Sequence, residues 1–262
     1  MAKGRQAGDI VSSWGSEFAD AAASELAARA DPARVAPMAA YMRDQFPFLG
    51  VPSAGQKAAL RAALAAVGRP ASDADVATAL AALWSRPERE HCYVGCGLVG
   101  RWAPKAGAAL VPALRDRIVD RPWWDTCDAL ARNGVGAVVR REPSLRPLMD
   151  EWLRGDDLWL CRTAIIHMGA WKQDIDREWV FAAALGRAAD TEFFVRKAIG
   201  WILRDLAWVD PAAVVAFVEG PGQVLSGLSK REALINVKGR RSTGSSSSRR
   251  GAPPASPPRT RR

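Results

Sequence analysis

The feature that most constrains the fold of this chain is a succession of short helical patterns separated by proline and N-cap residues. Apolar residues recur every three or four positions over residues 11–30 and again over 35–46. Helix-start signals then follow along the chain at Ser53, Ser72, Pro104, Pro122, Pro143, Asp156, Asp176, Asp190, Asp210 and Ser229. Ser53 and Ser229 are each followed three residues later by Gln or Glu, which predicts capping boxes. Since only residues 135–139 suggest a strand, and their glycines favour a helix end, the sequence predicts an all-α protein.

A repeat interval organises these helices. Asp128, Arg162 and Arg196 are spaced at equal intervals of 34 residues. Paired short helices with such a period are typical of an α-solenoid, in which each helix pair buries its apolar face against its neighbours. The sequence therefore predicts a solenoid of antiparallel helix pairs, with Asp128, Arg162 and Arg196 forming a row along its concave face.

Charge and composition predict the domain boundaries. The formal net charge of +9 favours an acidic partner such as nucleic acid, but seven arginines and no acidic residue lie from Gly239 onward. Residues 239–262 are rich in Arg, Ser and Pro, which predicts a disordered tail. Such a tail is either a specific binding arm or a segment that serves only solubility and non-specific contacts. We expect a flexible N-terminus over residues 1–10 and a single solenoid domain over residues 11–238.

Two helical segments carry candidate site residues. In the segment 123–128, which we expect to open after an Asp120 cap and Pro122, Trp124 and Asp128 share one helix face. In the segment 193–208, Lys197, Trp201, Arg204 and Trp208 form a basic and aromatic stripe. Each feature alone is explained by a helix cap, a core tryptophan or an arginine stacked on an indole ring. Their convergence from consecutive inner helices indicates a site.

Cysteine, histidine and hydropathy patterns narrow the class of protein. The four cysteines, with no secretory signal ahead of them, predict free thiols in a reducing compartment. His91, Cys92 and Cys96 have the spacing of neighbouring zinc ligands, but no second ligand pair follows, so we expect no metal. No apolar run reaches the length of about 18 residues that a membrane span needs. We therefore expect a cytoplasmic protein.

These residues resemble a known family. The motifs at residues 38–43, 46–50, 84–90, 123–128, 158–162, 193–201 and 228–233 are similar, in this order, to those of bacterial DNA alkylation repair glycosylases of the AlkD type. The resemblance covers about residues 30–236. It implies a fold of HEAT-like helical repeats with a concave DNA-binding face, and a bacterial enzyme that is associated with the nucleoid through DNA.

The resemblance also implies the roles of individual residues. Asp128 is implied as the catalytic carboxylate, Trp124 and Trp201 as aromatic walls of the site, and Arg162 as a neighbouring basic group that also binds the DNA backbone. The remaining DNA contacts that we expect are Tyr41, Ser53, Lys57, Lys197, Arg204, Lys230 and Arg231. The chain departs from the family pattern at residues 53–57, where the family has a threonine and a pair of arginines.

The chemistry of alkylpurine excision suits these residue types. An N3- or N7-alkylated purine is cationic, so its departure returns it to neutrality while positive charge develops on the deoxyribose. A fixed carboxylate near the sugar stabilises that charge and orients water, and indole faces attract the cationic nucleotide. The resemblance implies that the nucleotide is held by its backbone, without the base pocket that glycosylases in general use.

Two functions remain open from the sequence. The first is a monofunctional glycosylase that acts on alkylated purines in double-stranded DNA, as a monomer without a cofactor, a membrane or an obligate protein partner. The second is a non-catalytic helical-repeat scaffold that binds DNA or protein. In the second case Asp128 is a structural partner of Arg162. A scaffold has no need of a carboxylate in a DNA-facing groove, where it repels phosphate, and this favours the enzyme.

Overall fold

The computed structural model describes residues 13–220 and 224–244, and within these ranges the chain forms helices and no strand. The α-helices are α1 (Ser13–Ala27), α2 (Pro32–Tyr41), α3 (Ser53–Val67), α4 (Asp73–Trp84), α5 (Arg89–Trp102), α6 (Val111–Val119), α7 (Trp124–Leu130), α8 (Gly136–Arg141), α9 (Arg146–Arg154), α10 (Leu158–Ile166), α11 (Arg177–Gly186), α12 (Phe193–Leu206), α13 (Pro211–Glu219) and α14 (Gly227–Gly244). A π-helix, Ala131–Val135, joins α7 to α8, and short 3-10 turns lie in several of the other connections. The predicted all-α class is confirmed.

The helices form two layers. In the inner layer, each helix packs on the next in the order α3, α5, α7, α10, α12 and α14. In the outer layer, α1, α4, α6, α9, α11 and α13 pack against these inner helices in the same order. This is the arrangement of an α-solenoid, because each helix pair buries its apolar face against the neighbouring pairs. The predicted solenoid is confirmed.

The repeat interval reappears in the hydrogen bonds between helices. Arg162 donates to Asp128, and Gly107 N donates to the carboxylate of Asp73, each across 34 residues. Trp171 Nε1 donates to the carbonyl of Gly136 across 35 residues. Residues one repeat apart therefore meet on neighbouring helices, and this brings the motifs on α7, α10 and α12 together.

Several predicted helix starts are confirmed, and they explain why the helices are short. Ser72 and Asp75 form a capping box at the start of α4. The side chains of Asp176 and Asp210 accept hydrogen bonds from the first turns of α11 and α13. The start of α10 is capped by Asp157, one residue after the predicted Asp156. Each cap satisfies backbone N–H groups that the helix itself leaves unpaired.

Other predicted starts are wrong. The helix of the 123–128 motif begins at Trp124, because Arg121 has a φ of +47° and turns the chain away from helical geometry. The capping box at Ser53 does not form, since Gln56 Nε2 donates to the carbonyl of Val51. At the start of α14 it is the Ser226 hydroxyl that accepts from the N–H of Ser229. Residues 135–139 continue from the π-helix into α8 and do not end a helix.

The predicted domain boundaries can be compared with the structure only in part. The first helix begins at Ser13, and α14 continues to Gly244, beyond the predicted boundary at residue 238. Its extension has a simple reason: residues 239–244 contain no proline, so the backbone can remain helical. The predicted flexible N-terminus at residues 1–10, and residues 245–262 of the predicted tail, lie outside the described residues. Over the described ranges, no helix has the length and apolar character needed to cross a bilayer.

A buried histidine lies in the core beneath the π-helix. His167 is fully buried, and its ring packs edge to face against the rings of Trp171 and Trp179. Its Nδ1 lies 2.6 Å from the carbonyl oxygen of Ala164, and within the described part of the chain its Nε2 has no hydrogen-bond partner. Burial therefore lowers the pKa of His167 to about 4, because a second ring proton has no acceptor.

This histidine makes the stability of the fold depend on pH. The unfolded chain takes up a proton near pH 6.5, and the folded chain does so only near pH 4, so stability is lost as the pH falls between these values. The lost free energy of unfolding is about 3 kcal/mol. Urea unfolding of the wild type and of His167→Phe at pH 7 and pH 4.5 measures it. The phenylalanine variant should lose less stability over this range, and an equal loss in both proteins would exclude His167 as the cause.

Candidate nucleic-acid interface

An open cavity of about 250 Å³ lies where the end of α2 meets α7, α10 and α12. Aromatic and cationic side chains line it: Tyr41, Trp123, Trp124, Phe193, Phe194, Trp201, Arg43, Arg162 and Lys197. Rings of this kind stack on nucleobases or attract a cation, and guanidinium or ammonium groups bind phosphate. Three of the four predicted catalytic residues, Trp124, Arg162 and Trp201, therefore share one cavity.

The short helix α7 positions Trp124 and Asp128. The N-cap residue Trp123 is extended, with a φ of −158°, so the helix begins directly at Trp124. Asp128 follows one helical turn later, which places both side chains on one face. The Trp124 ring meets Tyr41 edge to face, with ring centroids 5.9 Å apart. Tyr41 is 71% exposed, so the outer edge of the cavity is an accessible aromatic ring.

Asp128 is held by a two-pronged ion pair with Arg162. The guanidinium Nε donates to Asp128 Oδ1 at 2.7 Å, and Nη2 donates to Oδ2 at 2.8 Å. Arg162 Nη1 donates to the carbonyl of Phe194 at 2.6 Å, which ties the pair to α12. Such a planar fork fixes the orientation of a carboxylate more firmly than a single bond does. Asp128 retains further lone pairs that can accept from water.

Burial changes the interpretation of Arg162. The Arg162 side chain is 1% exposed and that of Asp128 is 14% exposed. The Arg162 guanidinium has almost no exposed surface, and three of its N–H groups already donate hydrogen bonds. It is therefore poorly placed to bind a DNA phosphate. This burial favours a role for Arg162 in holding Asp128, and its role as a DNA backbone contact stays a prediction.

A cluster of tilted and edge-to-face aromatic rings, Trp123, Trp159 and Phe194, forms another part of the site. The Trp123 ring lies 5.3 Å from that of Phe194 and 6.0 Å from that of Trp159. The rings of Trp159 and Phe194 are 5.0 Å apart. The sequence interpretation did not assign a site role to Trp123 or Phe194. The repeat interval could have found Phe194, which lies about one repeat after Trp159 on the next inner helix.

The Trp201 ring is surrounded by charged side chains. The cationic groups of Arg162, Lys197 and Arg204 lie 5.2, 5.8 and 5.5 Å from its centroid. Its indole Nε1 donates to Glu232 Oε2 on α14 at 2.9 Å. Lys197 and Arg204 pair with the same carboxylate. Lys197, Trp201 and Arg204 of the predicted basic and aromatic stripe therefore meet on α12, whereas Trp208 lies beyond the last residue of this helix, Leu206. Glu232 is a carboxylate that the sequence interpretation did not assign to the site.

Comparison with known proteins gives the family of this chain. The family model described as "DNA alkylation repair enzyme" matches residues 22–237, a range that includes every lining residue of the cavity. The chain belongs to this family. It is also similar to the solved structure of a predicted DNA alkylation repair enzyme from Enterococcus faecalis, with a TM-score of 0.71 and 26% sequence identity over 79% of this chain and 96% of that chain. No curated protein matches the chain significantly.

A second buried ion pair in this DNA alkylation repair family member lies one turn before Asp128. Arg89 of α5 donates to both carboxylate oxygens of Asp125, at 2.9 and 2.7 Å, and also to the Thr126 hydroxyl. The Tyr93 hydroxyl donates to Asp125 at 2.7 Å. Arg89 is fully buried. Two arginines, Arg89 from α5 and Arg162 from α10, therefore hold α7 from its two neighbours in the inner layer.

The other expected DNA contacts are distributed around the cavity. Lys197 lines it, and Arg204 lies beside Trp201. Four further residues do not line it: Ser53 and Lys57 at the start of α3, and Lys230 and Arg231 on α14. The structure leaves their role as phosphate contacts a proposal for this repair family member.

The expected row of Asp128, Arg162 and Arg196 is only partly present. Asp128 and Arg162 are bonded to each other, but the Arg196 guanidinium turns to the backbone carbonyl of Asp190 at 2.7 Å. Lys197, the next residue on α12, reaches the cavity in its place. The repeat interval therefore predicted the cationic cavity residue on α12 with an error of one residue.

The cysteines are unsuited to nucleophilic chemistry. Burial raises the pKa of Cys92 and Cys161 to about 11 and that of Cys127 to about 12. Thiols of this kind remain protonated near neutral pH, and the thiolate is the reactive form. Cys127 Sγ instead lies 3.4 Å from the Thr163 hydroxyl, in the packing beneath the site. Over the described residues, no three His, Cys, Asp or Glu side chains come together as metal ligands do.

Proposed function

We propose that the chain is a monofunctional DNA glycosylase that hydrolyses the N-glycosidic bond of cationic N3- or N7-alkylated purines in duplex DNA. The observation that carries this proposal is Asp128, a carboxylate that is fixed by Arg162 beside the cavity that Trp124, Trp201 and Arg162 line. Membership in the DNA alkylation repair family supports a repair role. The glycosylase reaction is our interpretation of the chemistry of the cavity.

The proposed reaction needs little acid catalysis. The electrons of the N-glycosidic bond leave with the base, which becomes neutral, and the deoxyribose takes on oxocarbenium character. A water molecule then adds at C1′ and loses a proton, so that the products are a free base and an abasic site. Asp128 is negatively charged and held in place by Arg162, and so it can stabilise the developing positive charge and orient this water.

Aromatic and cationic groups have separate roles in this mechanism. The faces of Trp124 and Trp201 attract the positively charged nucleotide, and this favours alkylated over undamaged purines. Lys197, Arg204, Lys57, Lys230 and Arg231 are proposed to bind the phosphates, and the exposed ring of Tyr41 to contact the backbone at the edge of the cavity. Phosphate contacts give affinity that is independent of sequence and falls steeply with salt.

The decisive experiment measures release of free base. Single-turnover incubation with a duplex that contains one N7-methylguanine or N3-methyladenine should yield the free base, detected by chromatography, and an alkali-labile abasic site. Undamaged duplex is the control and should release nothing. Binding to alkylated DNA without release of base would instead support the alternative, a non-catalytic helical-repeat scaffold for DNA or protein.

A further inference from the structure

The last helix of the described chain contributes a carboxylate to the candidate site. Glu232 on α14 accepts from the indole Nε1 of Trp201 at 2.9 Å and from Arg204 Nη1 at 3.2 Å, both through its Oε2. Its Oε1 lies 3.5 Å from Lys197 Nζ. The Glu232 side chain is 16% exposed, so these contacts are largely shielded from bulk water. One side chain therefore holds an aromatic wall and two cations of the proposed DNA-binding face.

Close packing of two helices brings Glu232 to this position. A Cβ atom added at Gly200 would lie 2.4 Å from the Cβ of Glu232 and 2.9 Å from the carbonyl of Ser229, so only glycine allows α14 to approach α12 this closely. The buried hydroxyl of Ser229 donates to the carbonyl of Arg196 at 2.8 Å. These contacts flank Trp201 and fix α14 directly behind it.

The charge of Glu232 matters as well as its hydrogen bonds. Three cationic groups, from Arg162, Lys197 and Arg204, lie within 6 Å of the Trp201 ring. Asp128 neutralises the first of them, and Glu232 faces the other two. Without Glu232, a cationic nucleotide would meet an excess of like charge at this indole face. A carboxylate at position 232 therefore suits a substrate that is itself positively charged.

We propose that Glu232 is a positioning residue for excision, which orients the indole of Trp201 through its Nε1–H and offsets the charge of Lys197 and Arg204. This inference rests on the proposed glycosylase function for its kinetic consequence. Its structural part, that Glu232 holds the Trp201 indole, can be measured without any catalysis.

Two substitutions separate the hydrogen bond from the charge. Glu232→Gln can keep its carbonyl oxygen at the Oε2 position, where both Trp201 and Arg204 donate, and loses only the contact with Lys197. Glu232→Ala loses every contact. Excision by the alanine variant should be slower than that by the glutamine variant by about tenfold or more, since small misplacements of a substrate-binding group reduce rates strongly. Both variants remove one negative charge and should bind undamaged duplex about three- to tenfold more tightly at low salt.

Hydrogen exchange at the indole provides a readout that needs no activity. The Trp201 Nε1–H resonance can be assigned by its absence in Trp201→Phe. Its exchange with solvent should be about tenfold faster in Glu232→Ala than in Glu232→Gln, because only the alanine variant lacks an acceptor. Equal exchange in the two variants would overturn the proposal whether or not the protein releases base.

The remaining outcomes are also decisive. Faster exchange in Glu232→Ala together with equal excision by the two variants would show that the indole need not be held, and would also reject the positioning role. If the wild type releases no base, the proposed glycosylase function fails. In that case the exchange and affinity measurements still decide whether Glu232 holds Trp201 and offsets the charge. Melting temperatures of both variants establish that each remains folded at the assay temperature.

Discussion

Excision by Asp128→Asn should be about a hundredfold slower or more, since it removes the negative charge that faces the developing oxocarbenium ion. The single-turnover rate on N7-methylguanine duplex, with protein in excess, measures this loss separately from binding. Affinity for the alkylated duplex should be retained or increased, because a carboxylate repels the neighbouring phosphates. An excision rate equal to that of the wild type would remove Asp128 from the mechanism.

Stability alone cannot distinguish the two roles of Asp128. Asp128→Asn leaves Arg162 buried without its anionic partner, and this should lower the free energy of unfolding by about 2 to 4 kcal/mol whether or not Asp128 is catalytic. A loss of activity could then result from a loosened fold and not from the missing charge. The chain offers a matched control on the same helix.

Asp125→Asn is that control. Asp125 forms a fork with Arg89 of similar length to the one between Asp128 and Arg162, with arms of 2.9 and 2.7 Å, and it is even more buried, with 5% exposure. Both asparagine variants should therefore lose similar stability, but Asp125→Asn should excise at least about tenfold faster than Asp128→Asn, because only Asp128 is proposed to face the sugar. Equal excision at equal stability would return Asp128 to a purely structural role and favour the scaffold.

Trp124→Ala should slow excision by about tenfold to thirtyfold, because an indole face that attracts a cation in a shielded site contributes on the order of 2 kcal/mol. Affinity for undamaged duplex should change much less, since that DNA presents no cationic base. Trp201→Ala should act in the same direction. Trp124 is the cleaner test because Trp201 is also bonded to Glu232.

Two controls accompany this substitution. Trp124→Phe keeps an aromatic face and should retain more activity than the alanine variant. Trp208→Ala changes a tryptophan two residues beyond the end of α12 that is 58% exposed and does not line the cavity, so excision should respond much less to it. A uniform loss of affinity for damaged and undamaged DNA in Trp124→Ala would indicate that the ring supports packing and not lesion recognition.

Periodicity predicted the helices and their solenoid arrangement because both depend on the apolar faces of individual helices. It also placed Trp124 and Asp128 on one face, as residues four apart on a helix must be. The interval of 34 residues correctly predicted that Asp128 and Arg162 lie together on neighbouring helices. It failed by one residue on α12, where Lys197 reaches the cavity and Arg196 does not.

What the sequence could not predict depends on how neighbouring helices meet. The burial of Arg162 follows from packing between α7, α10 and α12. The late start of α7 follows from the positive φ of Arg121, a conformation that its residue type does not favour. Glu232 was expected to cap a helix, but the close approach at Gly200 brings it to Trp201.

The position of Glu232 makes the candidate site depend on the interface between α12 and α14. Among the described helices, α14 packs on α12 and α13. In a repeat array each helix is stabilised mainly by its neighbours, so loosening of this one interface removes the shared acceptor of Trp201, Lys197 and Arg204 while α3 to α10 remain folded. Gly200→Ala, which forces α14 away from α12, should therefore reduce excision more than it reduces the helix content measured by circular dichroism.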